Sequence, residues 1–197
     1  MPAPNRIRIN RAPVMTLWTE VVARRLGFDE DEALTLGRVV TGLNAYAKGK
    51  SLGLYEPQPE SLREQRKRAA PGAAITVSLL NRLVPAVKTP QGLRALSHDK
   101  PVSPESVRRY LQSKFGDALG SAEAAMMELA ASLTPEALAA RAYELYEAFR
   151  PRIPSGVRGW GAAGDLDLTL IRRLAEAPAG ALRERAAPAA GRRPRRG

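Results

Sequence analysis

The sequence predicts a mainly α-helical fold, a bundle of about six helices with one small β-hairpin. Three features lead there. Apolar residues recur at helical spacing through much of the 197-residue chain. Runs such as Ser103-Pro104-Glu105 and Thr134-Pro135-Glu136 combine an N-cap, a first-turn proline and an acid suited to the helix dipole. Only residues 75–87 alternate with a strand-like period of two. With 44% apolar residues the chain can bury roughly 70% of its unfolded surface.

The first helix is expected from Pro13 to Leu26, with Val14, Leu17, Trp18, Val21 and Val22 on one apolar stripe. Gly27 ends it, and Asp29 with Glu32 three residues later reads as a capping box opening a second helix to about Lys48. Gly37 and Gly42 each cost that helix about 1 kcal/mol relative to alanine, which predicts close approach of a neighbouring helix. Residues 53–73 hold Pro57, Pro59 and a charged run and read as a linker or loop. Ile75 to Val87 reads as a β-hairpin turning at Asn81-Arg82, although Ile75, Leu79 and Leu83 also fit one face of a helix ended by Pro85. A short helix over Gln91 to Leu96 follows, then three consecutive helices opening near Ser103, Ser121 and Thr134. Asp165 or Asp167 caps a last helix through Leu170, Ile171 and Leu174.

The domain organisation follows the charge. Residues 1–12 form a basic arm, 13–52 a helical hairpin, 74–177 a mostly helical region packed on that hairpin, and 178–197 a disordered tail rich in Arg, Ala and Pro. Net charge is +11, from 31 Lys and Arg against 20 Asp and Glu. The arm carries +3 and the tail +5, so the excess sits at the ends. The 25 arginines and 33 alanines also fit what a GC-rich coding sequence produces without selection for binding. No apolar run has transmembrane length, and Asn10-Arg11 leads into an amphipathic helix rather than a signal-peptide core, so a cytoplasmic location with no membrane partner is expected.

Most catalytic constellations are absent. Zero cysteines exclude a disulfide framework, a thiol nucleophile and cysteine-based zinc sites, and a single histidine, His98, excludes HExxH. No metal or cofactor is expected. Residues 20–38 resemble the outline of a helix-turn-helix, with Ala23, Gly27, Phe28, Ala33 and Leu36 at the small, turn and apolar positions. The second helix nonetheless opens with Asp29, Glu30, Asp31 and Glu32, four carboxylates that would repel a duplex. The glycine-rich stretch around Arg158 and Trp160 lacks a P-loop ending and reads as a loop pinned by its indole. Asp165 and Asp167 read as helix caps, and His98 as a surface loop residue.

These features point to a non-enzymatic protein that touches the nucleic-acid phosphate backbone through arginine-rich ends, with little sequence readout. The expected binding residues are Arg6, Arg8 and Arg11, the stretch Arg63, Arg66, Lys67 and Arg68, and the tail residues Arg192, Arg193, Arg195 and Arg196. The tail resembles, in composition alone, the Ala/Pro/basic tails of linker-histone-like and nucleoid proteins. The alternative is a helical protein-interaction or oligomerisation module, such as a homodimer, with Trp18, Tyr46, Tyr143 and Tyr146 as exposed anchors.

Overall fold

The structure is a computed structural model that describes residues 5–51, 75–157 and 161–177. Its elements run β1 (Arg6–Asn10), α1 (Arg11–Arg25), α2 (Glu30–Ser51), β2 (Ile75–Leu79), β3 (Arg82–Thr89), β4 (Gly92–Ser97), β5 (Lys100–Pro101), α3 (Pro104–Phe115), a 3₁₀ turn (Gly116–Ala118), α4 (Leu119–Ala131), α5 (Pro135–Phe149), β6 (Ala163–Asp167) and α6 (Leu168–Glu176). Among the described residues this is a mixed α/β fold with two antiparallel sheets, which corrects the expectation of a six-helix bundle with one hairpin.

Helix α1 is the centre of the molecule. Every residue from Pro13 to Ala23 is buried, so the stripe read from the sequence is only one of its faces. Helix α2 packs along it, and α3, α4 and α5 cover the other sides. The threonines on the polar face stay buried because each hydroxyl finds a carbonyl one turn back: Thr16 donates to Ala12 O at 3.0 Å and Thr19 to Met15 O at 2.8 Å. Gly37 is what lets α2 approach, since a Cβ there would lie 2.5 Å from the Thr16 carbonyl oxygen. Gly42 faces open space and has no such role. Trp18 anchors α5, its indole N–H donating to Ala142 O at 2.8 Å and its ring standing edge-on to Phe149 at 5.3 Å.

Strands β2 to β5 form a meander beside α2. The first hairpin turns at Leu80-Asn81, both left-handed, one residue earlier than the sequence indicates. The helix expected over Gln91 to Leu96 is strand β4 instead. Residues Leu93, Arg94, Ala95 and Leu96 are all buried, so β4 never shows the alternation that marks a half-exposed strand. Helix α2 satisfies two of its amides: Leu93 N donates to Glu32 Oε1 at 2.8 Å and Ala95 N to Thr35 Oγ1 at 3.1 Å. His98 and Asp99 are left-handed turn residues between β4 and β5.

The three consecutive helices are present, with Ser103 and Thr134 accepting from the amides of Ser106 and Ala137 as N-caps. The second of them opens at Leu119, two residues before Ser121. Asp167 caps α6 through the amides of Thr169 and Leu170. Asp165 is no cap, since it sits within β6.

Candidate nucleic-acid interface

Part of the expected basic arm is built into the fold. Arg6 and Arg8 lie on β1, which pairs antiparallel with β6 so that Arg6 faces Asp167 and Arg8 faces Asp165. Alternation sends Ile7 and Ile9 into the core and the two arginines outward. Their side chains are 75% and 66% exposed and meet the two aspartates at 3.9 Å, the outer limit of an ion pair. Such pairs contribute about 0–1 kcal/mol each, which leaves the guanidiniums free to exchange an aspartate for a phosphate. Arg152, which nothing in the sequence singles out, bridges to β6 opposite Asp165. A Cβ on Gly164 would collide with the Arg152 carbonyl, so the glycine is what permits this third row. The ribbon therefore sets three arginines against two aspartates.

Arg11 differs. It opens α1, is half-buried, and donates Nε to Pro151 O at 3.2 Å. Arg63, Arg66, Lys67, Arg68, Arg192, Arg193, Arg195 and Arg196 lie outside the described residues, as do Arg158 and Trp160. The described residues hold 20 Lys and Arg against 16 Asp and Glu, a net +4. The remaining +7 belongs to residues outside them.

The four carboxylates at the start of α2 are occupied within the fold. Asp29 and Glu32 form the reciprocal capping box, Glu32 N donating to Asp29 Oδ1 at 2.8 Å and Asp29 N to Glu32 Oε2 at 3.3 Å. Arg108 of α3 donates to Glu30 and Asp31, both at 3.0 Å, and Arg94 reaches Asp31 at 3.6 Å. These groups tie α2 to α3 and β4, and residues 20–38, which carry the helix-turn-helix outline, form a helical hairpin. Among the described residues no cluster of three or more potential metal ligands occurs, and no helix is long and apolar enough to cross a membrane.

One buried carboxylate carries no sequence signal. Glu20, on α1, is 3% exposed and receives Arg24 Nη1 at 3.1 Å, while its other oxygen is buried with no partner among the described residues. Arg24 also donates to Glu123 of α4 at 2.9 Å. Burial pushes the Glu20 carboxyl up to about 7, against the pull of Arg24.

The expected aromatic anchors divide. Trp18 and Tyr146 are core residues and cannot serve as exposed anchors, which corrects that expectation. Tyr143 is half-buried and Tyr46 exposed. Comparison with protein-family models, with curated proteins and with solved structures found no match to this chain.

Proposed function

We propose that this chain is a non-enzymatic nucleic-acid-associated protein that holds the phosphate backbone through its arginine-rich ends and reads little sequence. The β1–β6 pairing supports this reading best. It seats Arg6 and Arg8 against the strand that leads directly into α6, and Leu168 N at the start of α6 donates to Asn5 O at 2.9 Å. The nine residues of α6 rise 1.5 Å each, so the chain leaves that helix within about 15 Å of the first strand. The described chain thus ends, at Ala177, on the same side of the fold as Arg6 and Arg8. Two of the carboxylates that would repel a duplex, Glu30 and Asp31, are ion-paired at the surface with Arg108.

The test replaces Arg192, Arg193, Arg195 and Arg196 together by glutamine in the full chain. Four neutralised phosphates give a log–log salt slope of about −3.6, roughly a hundredfold fall in duplex affinity between 50 and 200 mM salt. The variant lacks that component, so it binds more weakly at 50 mM salt and its slope is flatter by about 3.6. Equal affinity and equal slope for the two proteins would overturn the reading.

The alternative, a protein-interaction module, draws on Leu83, whose place on β3 leaves it 71% exposed. A defined dimer mass with no retention on DNA at 100 mM salt would favour it.

A further inference from the structure

An exposed strand edge invites pairing, and most edges of this fold are blunted by recognisable means. In the meander, ordered β2-β3-β4-β5, the far edge ends in the two residues Lys100–Pro101 of β5 and in Val102 N, which donates to Ala95 O at 2.9 Å. Along the rest of β4, Glu32 and Thr35 of α2 take the amides of Leu93 and Ala95. On the ribbon, Arg152 covers β6 by exchanging two backbone hydrogen bonds with Asp165, both at 3.2 Å, and Arg6 and Arg8 put charge on β1. Strand β2 differs. Its residues Ile75–Leu79 include no charge and no proline, and its register with β3 runs without a bulge. Among the described residues β3 is its one neighbouring strand.

The hairpin fixes what that edge presents. A two-residue turn at Leu80-Asn81 makes Leu79 and Arg82 a hydrogen-bonded pair, and the pairs alternate from there. Val77 and Ile75 therefore direct their backbone groups to β3. Pro85, which has no N–H, falls opposite Thr76, where this alternation asks no hydrogen bond of it. The N–H and C=O groups of Thr76 and Ser78 thus point away from β3. Their side chains are exposed on one face, while Ile75 and Val77 on the other are half-buried against the core.

This edge is complementary to itself. Turned about a two-fold axis at Val77, β2 of a second copy runs antiparallel, with its Ser78 opposite Thr76 and its Thr76 opposite Ser78. Each such pair exchanges both N–H···O bonds. The two Val77 side chains meet at the close spacing of a non-hydrogen-bonded pair and cover the half-buried apolar side of the edge. A chain of net charge +11 repels its own copies, and an uncharged strand lets two copies meet without setting like charges against each other.

We propose that β2 pairs antiparallel with β2 of a second copy about a two-fold axis at Val77, joining two meanders into one sheet. Neither β1 nor β6 takes part, so the pairing stands apart from the nucleic-acid reading. A strand of 5 residues on each side makes a small interface, so the dimer is weak, with a dissociation constant between about 1 μM and 1 mM.

Sedimentation equilibrium of the full chain from about 1 μM to 1 mM follows the mean mass, with circular dichroism as the check on folding. The natural chain rises from the monomer mass towards twice that mass. Thr76→Glu with Ser78→Glu changes exposed positions only and sets like charges opposite each other in both outward pairs, weakening the dimer about tenfold. That variant lowers the net positive charge, so general repulsion cannot account for its loss. Thr76→Lys with Ser78→Glu sets opposite charges in the same pairs and stays within about threefold of the natural chain. Monomer mass at every concentration overturns the proposal. An unchanged dissociation constant in the double glutamate variant does so too, because it places the dimer contact elsewhere. Equal weakening by both variants overturns the register centred on Val77.

Discussion

Arginine does two different jobs at the two sides of this molecule. Arg24 is fixed between Glu20 of α1 and Glu123 of α4, and Arg108 of α3 spans Glu30 and Asp31 of α2. On the β1–β6 ribbon, Arg6 and Arg8 stand out in solvent with aspartates at 3.9 Å. The first set is committed to joining helices. The second is held in place by its strand and not by its charge, which is the condition for taking a phosphate at little cost. Net charge alone counts the two sets equally, and the difference lies in burial and in the number of acceptors each guanidinium already has.

If the helical side is as tightly committed as its ion pairs indicate, damage there should fall on stability. Trp18→Ala removes the ring that ties α1 to α5 and is expected to cost about 3–5 kcal/mol in urea unfolding. A loss below about 1 kcal/mol would mean that α1 is not the centre of the core. Gly37→Ala forces α2 away from the Thr16 carbonyl and is expected to cost about 1–3 kcal/mol by the same assay.

Glu20 separates the two sides through pH. Its folded pKa of about 7 lies above the ordinary 4.5, so the native state holds a proton that the unfolded chain gives up first. Its contribution to stability is full below pH 4.5 and is lost as the pH rises through about 7. The natural chain should therefore lose about 2 kcal/mol between roughly pH 5 and pH 8 relative to Glu20→Gln. Parallel stability–pH curves for the two proteins would show that the carboxylate is ionised and solvated. The ribbon gives the smallest effect on folding. Arg6→Gln with Arg8→Gln should change stability by less than about 1 kcal/mol, while flattening the duplex salt slope by about 0.9 for each phosphate those arginines neutralise.

Helices can be read from the sequence wherever caps and periodicity agree. Ser103, Thr134 and the Asp29–Glu32 box all cap as their spacing indicates, because a cap is a local geometry of three or four residues. The sheets are harder to read. β1 holds only five residues and finds its partner more than 150 residues away, and β4 is buried through most of its length, so neither announces a period. The burial of α1 on all sides is equally hidden, since Thr16, Thr19 and Glu20 look like a polar face until the groups of α2 and α4 are in place around them. For the candidate interface, the cations themselves are visible in the sequence. What it lacks is which of them have carboxylates to hold, and that Arg152 belongs to a ribbon made from distant segments.

The exposed arginines of the ribbon, together with those the sequence places in the tail, should bind a polyanion backbone whatever its sequence. The affinity of the intact chain for two duplexes of unrelated sequence, measured from about 50 to 200 mM salt, decides the matter. We expect nearly equal affinities for the two and a log–log slope of about −5, from four phosphates at the tail and two on the ribbon. A slope near zero, or a strong preference for one sequence, would contradict it.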